Sequence, residues 1–283
     1  TEGRAGRLTL NRPQALNALT HAQCLATLDA LGGWRDDPGV ALVILDGAGP
    51  RAFCSGGDIA QVTAEGRRGN FAAGRDFWRD EYRMNVTLAE YPKPIVSFLH
   101  GFVMGGGVGY GCHVSHRIAG ESLQLAMPEC GIGLIPDVGG TWLLSQAPGA
   151  VGLWMALTAA RLGPGDAIAA RFADRFVPEA GWDALKARLC ATGDPAALPD
   201  HPAPDAPLVG QRALIDRLFA GPGIPAILSA LAADDSDLAR SALKAMQRNA
   251  PLSMASTLAM LRPPPATLRD AIRHEFRWVW RAM

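Results

Sequence analysis

Short, unbroken apolar runs mark the first half of the chain, and helical spacing of apolar residues marks the second. Residues 40–45 contain A-L-V-I-L and stop at Asp46-Gly47; residues 94–99 are rich in β-branched and aromatic side chains and sit between prolines and a glycine. Runs of this length, closed by turn residues, predict strands buried on both faces, as in parallel sheets. Residues 7–10, 117–119 and 123–126 predict further strands. Thr20-x-x-Gln23 has the form of a capping box, and Leu25, Leu28, Leu31 and Trp34 follow at helical spacing. Residues 60–91 mix Trp78, Tyr82, Met84 and Leu88 with charges and are interrupted by Gly66 and Gly69. That pattern predicts a flexible loop and then a helix, placed as a lid over a substrate. Residues 151–160 and 166–176 predict helices, the second started by Pro164. A proline-rich stretch over 195–207 reads as a linker, and 208–219, 225–233, 236–248, 253–261 and 267–283 carry helical patterns after it. The expected architecture is α/β, with a core unit over 1–198 and a C-terminal helical region over 199–283.

Composition removes whole classes of function. The chain has 283 residues, 48% hydrophobic and 19% charged, with 27 basic against 27 acidic side chains. A balanced charge gives no ground for binding nucleic acid or an anionic membrane surface. No apolar run approaches the roughly 18 residues of a membrane span, and none has the form of a signal peptide. A cytoplasmic protein is the expectation. The cysteines, at 24, 54, 112, 130 and 190, are five in number and form no C-x-x-C pair. They read as buried thiols in a reducing compartment, without a disulfide framework or a zinc site.

Candidate chemistry lies between residues 94 and 140. Gly105, Gly106 and Gly107 follow the 94–99 strand and leave the backbone bare, so a substrate can approach it and amides can point outward. If the chain turns helical from Val108, those amides stand at a helix start, where negative charge is favoured. That is chemistry for an oxyanion. Glu129 and Asp137 follow in a loop punctuated by Gly131, Gly133, Pro136, Gly139 and Gly140 and bracketed by Met127, Ile132, Leu134 and Ile135. Carboxylates in apolar surroundings are candidates for acid–base or nucleophilic work. The plainer readings are a tight turn for the glycines and turn or cap residues for the carboxylates. The cluster has no G-K-[ST] ending, which excludes a P-loop. Residues 47–52 match G-x-G-x-x-A by accident, because Pro50 disrupts the turn and no helix pattern follows. His113-x-x-His116 lacks a third ligand and is at best a weak metal hint.

Three ordered segments carry a family resemblance: F-C-S-G-G-D-I at 53–59, H-G-F-V-M-G-G-G-V-G at 100–109 and A-M-P-E-C-G-I-G-L-I-P-D-V-G-G-T at 126–141. In order and spacing they resemble the signature loops of the crotonase (enoyl-CoA hydratase/isomerase) superfamily, and L-T-L-N-R-P-Q-A-L-N-A-L at 8–19 is similar to its first strand and loop. Within it, M-G-G-G-V-G, M-P-E-x-x-I-G-L-x-P-D-V-G-G and Asp80-Glu81-Tyr82 resemble the 3-hydroxyisobutyryl-CoA hydrolase branch. The resemblance covers nearly the whole chain.

It implies a ββα spiral core and a coenzyme A thioester held with its carbonyl oxygen between two backbone amides, those of Gly57 and Gly106. Glu129 falls at the family's catalytic glutamate, as nucleophile or as general base towards water. A hydratase needs a second glutamate where this chain has Gly109; Asp137 stands where hydratases carry glycine, and in the hydrolase branch the equivalent aspartate contacts the acyl group. Glu81 matches a branch residue near the acyl hydroxyl; a solvated helix charge is the plainer reading. The lysines that grip coenzyme A phosphates are not matched, Gln14 and Ala60 standing in their places, and Arg12, Arg51, Arg67 and Arg68 are the available substitutes. The implied activity is hydrolysis of a short 3-hydroxyacyl-CoA, with enoyl-CoA hydration or isomerisation as the alternative and a non-catalytic acyl-CoA binder as a third. No cofactor is expected beyond the coenzyme A of the substrate. A trimer, or a hexamer built from trimers, is the assembly that the resemblance implies.

Overall fold

Two parallel sheets grow side by side in the computed structural model, which describes residues 1–282. The larger contains β1 (Ala5–Leu10), β2 (Leu42–Gly47), β4 (Ile95–Leu99), β6 (His116–Ala119) and β8 (Arg175–Phe176) in the order β1-β2-β4-β6-β8. The smaller contains β3 (Ala52–Cys54), β5 (Phe102–Met104) and β7 (Gln124–Ala126) in the order β3-β5-β7. Each strand of the large sheet from β2 to β6 is followed at once by a strand of the small one. The chain therefore climbs as a ββα spiral, as the resemblance implied.

The apolar runs form strands because both faces of the large sheet are covered. Leu42 and Ile44 point to one side, where Trp182, Leu185 and Leu189 of α8 (Trp182–Thr192) pack; Val43 and Leu45 join the main core on the other. This is the period-two alternation of a strand with apolar partners on each face. All four are fully buried, each contributing about 1.5–3 kcal/mol relative to exposure.

The capping box forms: Thr20 accepts from the Gln23 amide and starts α1 (His21–Trp34). Residues 60–91 differ from expectation. They fold into two helices, α2 (Ile59–Arg67) and α3 (Phe71–Ala89), with Gly66 inside α2 and Gly69, at φ 79°, in the turn between them. The expected loop is helix α2, and the expected helix, α3, buries Trp78, Tyr82, Met84 and Leu88, so it is core rather than lid, anchored by an apolar face that outweighs its charges. The helix expected over 166–176 also ends early. α7 (Pro164–Ala169) gives way to β8, because Phe176 pairs with Ala119 at the sheet edge. Local spacing there cannot reveal a long-range pairing.

The remaining helices are α4 (Gly106–Cys112), α5 (Gly140–Gln146), α6 (Val151–Thr158), α9 (Pro207–Leu218), α10 (Ile224–Ala232), α11 (Asp237–Arg248), α12 (Pro251–Leu261) and α13 (Leu268–Ala282). Residues of α9 to α13, among them Ile215, Ile227, Met246, Met254 and Val279, share the main core with Phe53, Leu99 and Val108.

Candidate active site

The small sheet aims three loops at one place. Because β3, β5 and β7 run parallel, their C-terminal ends lie along one edge, and Gly57, Gly106 and Glu129 follow those ends by two or three residues. Ligands in α/β folds bind outside such strand ends. A cavity of about 70 Å³ opens there, lined among others by Gly57, Glu81, Gly106, Glu129, Asp137 and Trp78.

Glycine is required at this edge for close approach. A Cβ at Gly107 would lie 2.1 Å from the Cys54 carbonyl oxygen, so only glycine lets α4 rest against β3. A Cβ at Gly106 would lie 3.0 Å from the Gly57 nitrogen and 2.6 Å from Glu81 Oε1. The Gly106 backbone thus lies close against the Gly57 amide, and both line the cavity. Nothing among the described residues accepts a hydrogen bond from the Gly57 N–H, and Gly106 opens α4, where a helix has no internal acceptor for its N–H. Two unpaired amides beside one cavity are the donors that an oxyanion hole would need.

The carboxylates expected at 81, 129 and 137 come together around these amides, and all three are buried. Glu81 is therefore no solvated helix charge: it is 1% exposed, and its Oε1 has no hydrogen-bond partner. Glu129 opens a short 3-10 turn after β7, and its Oε2 also lacks a partner. Asp137 Oδ2 accepts from the Tyr82 hydroxyl at 2.6 Å. A fourth buried carboxylate, Glu275 of α13, accepts from the amides of Gly139 and Thr141 at 2.7 and 2.9 Å and from Thr141 Oγ1 at 2.5 Å.

Among the described residues none of these four acids forms an ion pair, and their proton affinities rise accordingly. Burial pushes Glu81 and Glu129 well above the usual carboxylate range, and the Asp137 charge adds to both. Burial raises Asp137 to about 6 against the opposing bond from Tyr82, and raises Glu275 to about 7. Carboxyls poised nearer neutrality suit proton transfer at physiological pH.

The second carboxylate of a hydratase has no room here. A Cβ at Gly109 would lie 2.7 Å from Val138 Cβ and 3.1 Å from Asn85 Nδ2. Val138 holds its place at φ 56°, an uncommon conformation for a β-branched residue. His113 does not face a metal: its Nε2 lies 2.8 Å from the Val138 carbonyl, and since a carbonyl only accepts, that nitrogen donates. Burial lowers its pKa to about 4 and keeps the ring neutral.

Of the four candidate phosphate-binding arginines, Arg12 pairs with Asp58 at 3.0 Å and Arg68 with Glu65 at 3.0 Å. Arg51 and Arg67 form no ion pair among the described residues. Sequence reasoning passed over Tyr82 as a partner for Asp137, and over Glu275. Asp80-Glu81-Tyr82 drew attention to the right turn of α3, but nothing in the pattern of α13 separates Glu275 from its solvated neighbours.

The enoyl-CoA hydratase/isomerase family profile matches residues 5–283. The mitochondrial 3-hydroxyisobutyryl-CoA hydrolase of Xenopus tropicalis is 38% identical, over 97% of this chain and 75% of that protein. The probable 3-hydroxyisobutyryl-CoA hydrolase 3 of Arabidopsis thaliana is 39% identical, over 90% of this chain and 71% of that one. The crystal structure of an enoyl-CoA hydratase from Rhodobacter sphaeroides superposes with a TM-score of 0.97 at 56% identity, covering all of this chain and 83% of that one. With the spiral of paired strands, the two unpaired amides and a match over nearly its full length, the chain belongs to the enoyl-CoA hydratase/isomerase (crotonase) family.

Proposed function

We propose that the chain hydrolyses a short 3-hydroxyacyl thioester of coenzyme A, of the 3-hydroxyisobutyryl-CoA type, to the free acid and coenzyme A. The Gly57 and Gly106 amides hold the thioester oxygen and take up the charge that develops when the carbonyl carbon is attacked; one such donor is worth roughly 100–1000-fold in rate. Glu129 acts on that carbon directly or by deprotonating a water. Asp137, fixed by Tyr82, takes the substrate hydroxyl. Glu81, whose pKa burial raises, stands beside the amides and faces the acyl end. Thioester and water suffice, so no further cofactor is required.

One observation carries the choice of hydrolysis over hydration: the space at Gly109 is filled by Val138, whereas Asp137 is anchored on the cavity wall. The alternative, enoyl-CoA hydration or isomerisation by Glu129 alone, draws on the printed title of the Rhodobacter structure. A thiol-release screen over short 3-hydroxyacyl-CoA and enoyl-CoA esters separates the two. Free thiol from the 3-hydroxy esters is the expected result. A hydrated enoyl ester with no thiol released would favour the alternative, and binding without any product would favour a non-catalytic acyl-CoA binder.

No helix among the described residues is long and apolar enough to cross a membrane. All five cysteines are unpaired and buried among the described residues, which is consistent with a reducing setting. A trimeric or hexameric assembly remains part of the reading, to be measured by light scattering.

A further inference from the structure

The Asp137 turn is held from a helix almost 140 residues away. We propose that Glu275 of α13 is a positioning residue for Asp137, clamping the turn that carries it so that the carboxylate meets the acyl group of the substrate. The inference rests on the hydrolase reading and extends it to a residue with no place in the motif.

Three observations support it. Val138, the residue after Asp137, sits at φ 56°, where a β-branched side chain costs about 1–2 kcal/mol. Such a conformation persists only where its surroundings over-determine it. Here they do: His113 donates to the Val138 carbonyl, and Glu275 accepts from the next amide, Gly139, at 2.7 Å. The peptide between Val138 and Gly139 is thus gripped on both sides.

Next, the clamp matches its partners in chemistry. Glu275 is 0% exposed and faces three donors, two amides and the Thr141 hydroxyl. In its ionised form Glu275 accepts from all three without bringing a donor of its own. An apolar side chain there would leave all three buried donors unpaired, so the acid at 275 fixes the backbone of the turn as well as starting α5.

Finally, α13 reaches Asp137 by a second route. Phe276, adjacent to Glu275, packs edge-on against the Tyr82 ring at 5.9 Å, and the Tyr82 hydroxyl bonds the Asp137 carboxylate. One turn of α13 therefore sets both the backbone and the side chain of Asp137.

The test is a double-mutant cycle in the full chain with Glu275→Gln, Asp137→Asn and the two combined. The values of kcat and KM are measured for a 3-hydroxyacyl-CoA and for the unsubstituted acyl-CoA of the same length. Glutamine keeps the volume but turns an NH₂ towards at least one of the three donors. The expected result is a fall in kcat on the 3-hydroxy ester on the order of 10–100-fold, as for a displacement near 1 Å. KM and the rate on the unsubstituted ester should change much less, with little further loss when Asp137→Asn is already present. Equal losses on both esters, additive with Asp137→Asn, would mean a structural role and overturn the proposal. If Asp137→Asn itself leaves the preference between esters unchanged, the hydrolase reading of Asp137 fails, and the clamp fails with it. Should Glu275→Gln unfold by circular dichroism, Thr141→Val carries the test. It removes one of the three donors at constant shape, and an unchanged ester preference in that variant overturns the proposal.

Discussion

Gly106→Ala tests the oxyanion hole. The added methyl would stand 2.6 Å from Glu81 Oε1 and 3.0 Å from the Gly57 nitrogen, against ordinary contacts beginning near 3.4 Å. Glu81 must therefore retreat by several tenths of an ångström, and the methyl occupies the space in front of the Gly57 amide where the thioester oxygen has to sit. Losing one of two donors corresponds to about 2.7–4 kcal/mol of transition-state stabilisation, or roughly 100–1000-fold in kcat. The effect on folding should be small. Alanine gains up to about 1 kcal/mol of helix propensity over glycine within a helix, which offsets part of the crowding. The assay is steady-state thiol release with thermal unfolding in parallel, and Gly105→Ala and Gly133→Ala serve as comparisons. Gly105→Ala should damage both activity and stability, because Gly105 is at φ 51° and its Cβ would meet Glu129 Oε1 at 2.6 Å. Gly133, also at positive φ but with nothing within 4 Å, should lose some stability and keep its activity. A Gly106→Ala variant with kcat within threefold of the parent would refute the placement of the thioester oxygen in front of the Gly57 amide.

Glu129→Gln keeps the side-chain volume but cannot attack or take a proton, so kcat should fall at least about 100-fold with circular dichroism unchanged. Gly109→Glu should give no hydration of enoyl-CoA, read from the absorbance of the conjugated thioester, and should destabilise by about 1–3 kcal/mol or more, since its Cβ overlaps Val138. Asp137 makes a prediction in pH. Its folded pKa is raised, to about 6 from 3.8, so burial penalises its ionised form. At low pH both folded and unfolded states carry the proton and no penalty exists; the penalty grows between about pH 4 and 6 and reaches about 3 kcal/mol above that range. Asp137→Asn should therefore raise the melting temperature by several degrees at pH 8 and by less at pH 5. The opposite order, or no difference, would contradict the raised affinity.

How far the sequence could be read depended on how local each cause was. β2 and β4 were legible because unbroken runs such as L-V-I-L and I-V-S-F-L suit only a strand covered on both sides. α1 was legible because Thr20 and Gln23 cap each other within three residues. β8 was not, since two residues with no run of their own become a strand only through pairing with β6. α3 carries enough charge to resemble a mobile segment, and its burial becomes visible only once α1 and α13 pack on it. In the site, Gly106, Glu129 and Asp137 stood out because a glycine cluster and apolar-flanked acids are unusual locally, and Gly57 was reached through the family resemblance of its loop. Glu81 remained ambiguous, since the burial that raises its pKa is a tertiary fact. Tyr82 and Glu275 stayed hidden for the same reason: their partners lie 55 and 134–136 residues away.

Water labelled with heavy oxygen tests the central claim most directly, with 3-hydroxyisobutyryl-CoA and crotonyl-CoA supplied together and products read by mass spectrometry. Hydrolysis through the Gly57–Gly106 hole predicts label in the carboxylate of a free 3-hydroxy acid, with one free coenzyme A for each labelled acid and crotonyl-CoA left intact. Label in the 3-hydroxyl of an unbroken thioester, with no coenzyme A released, would contradict it.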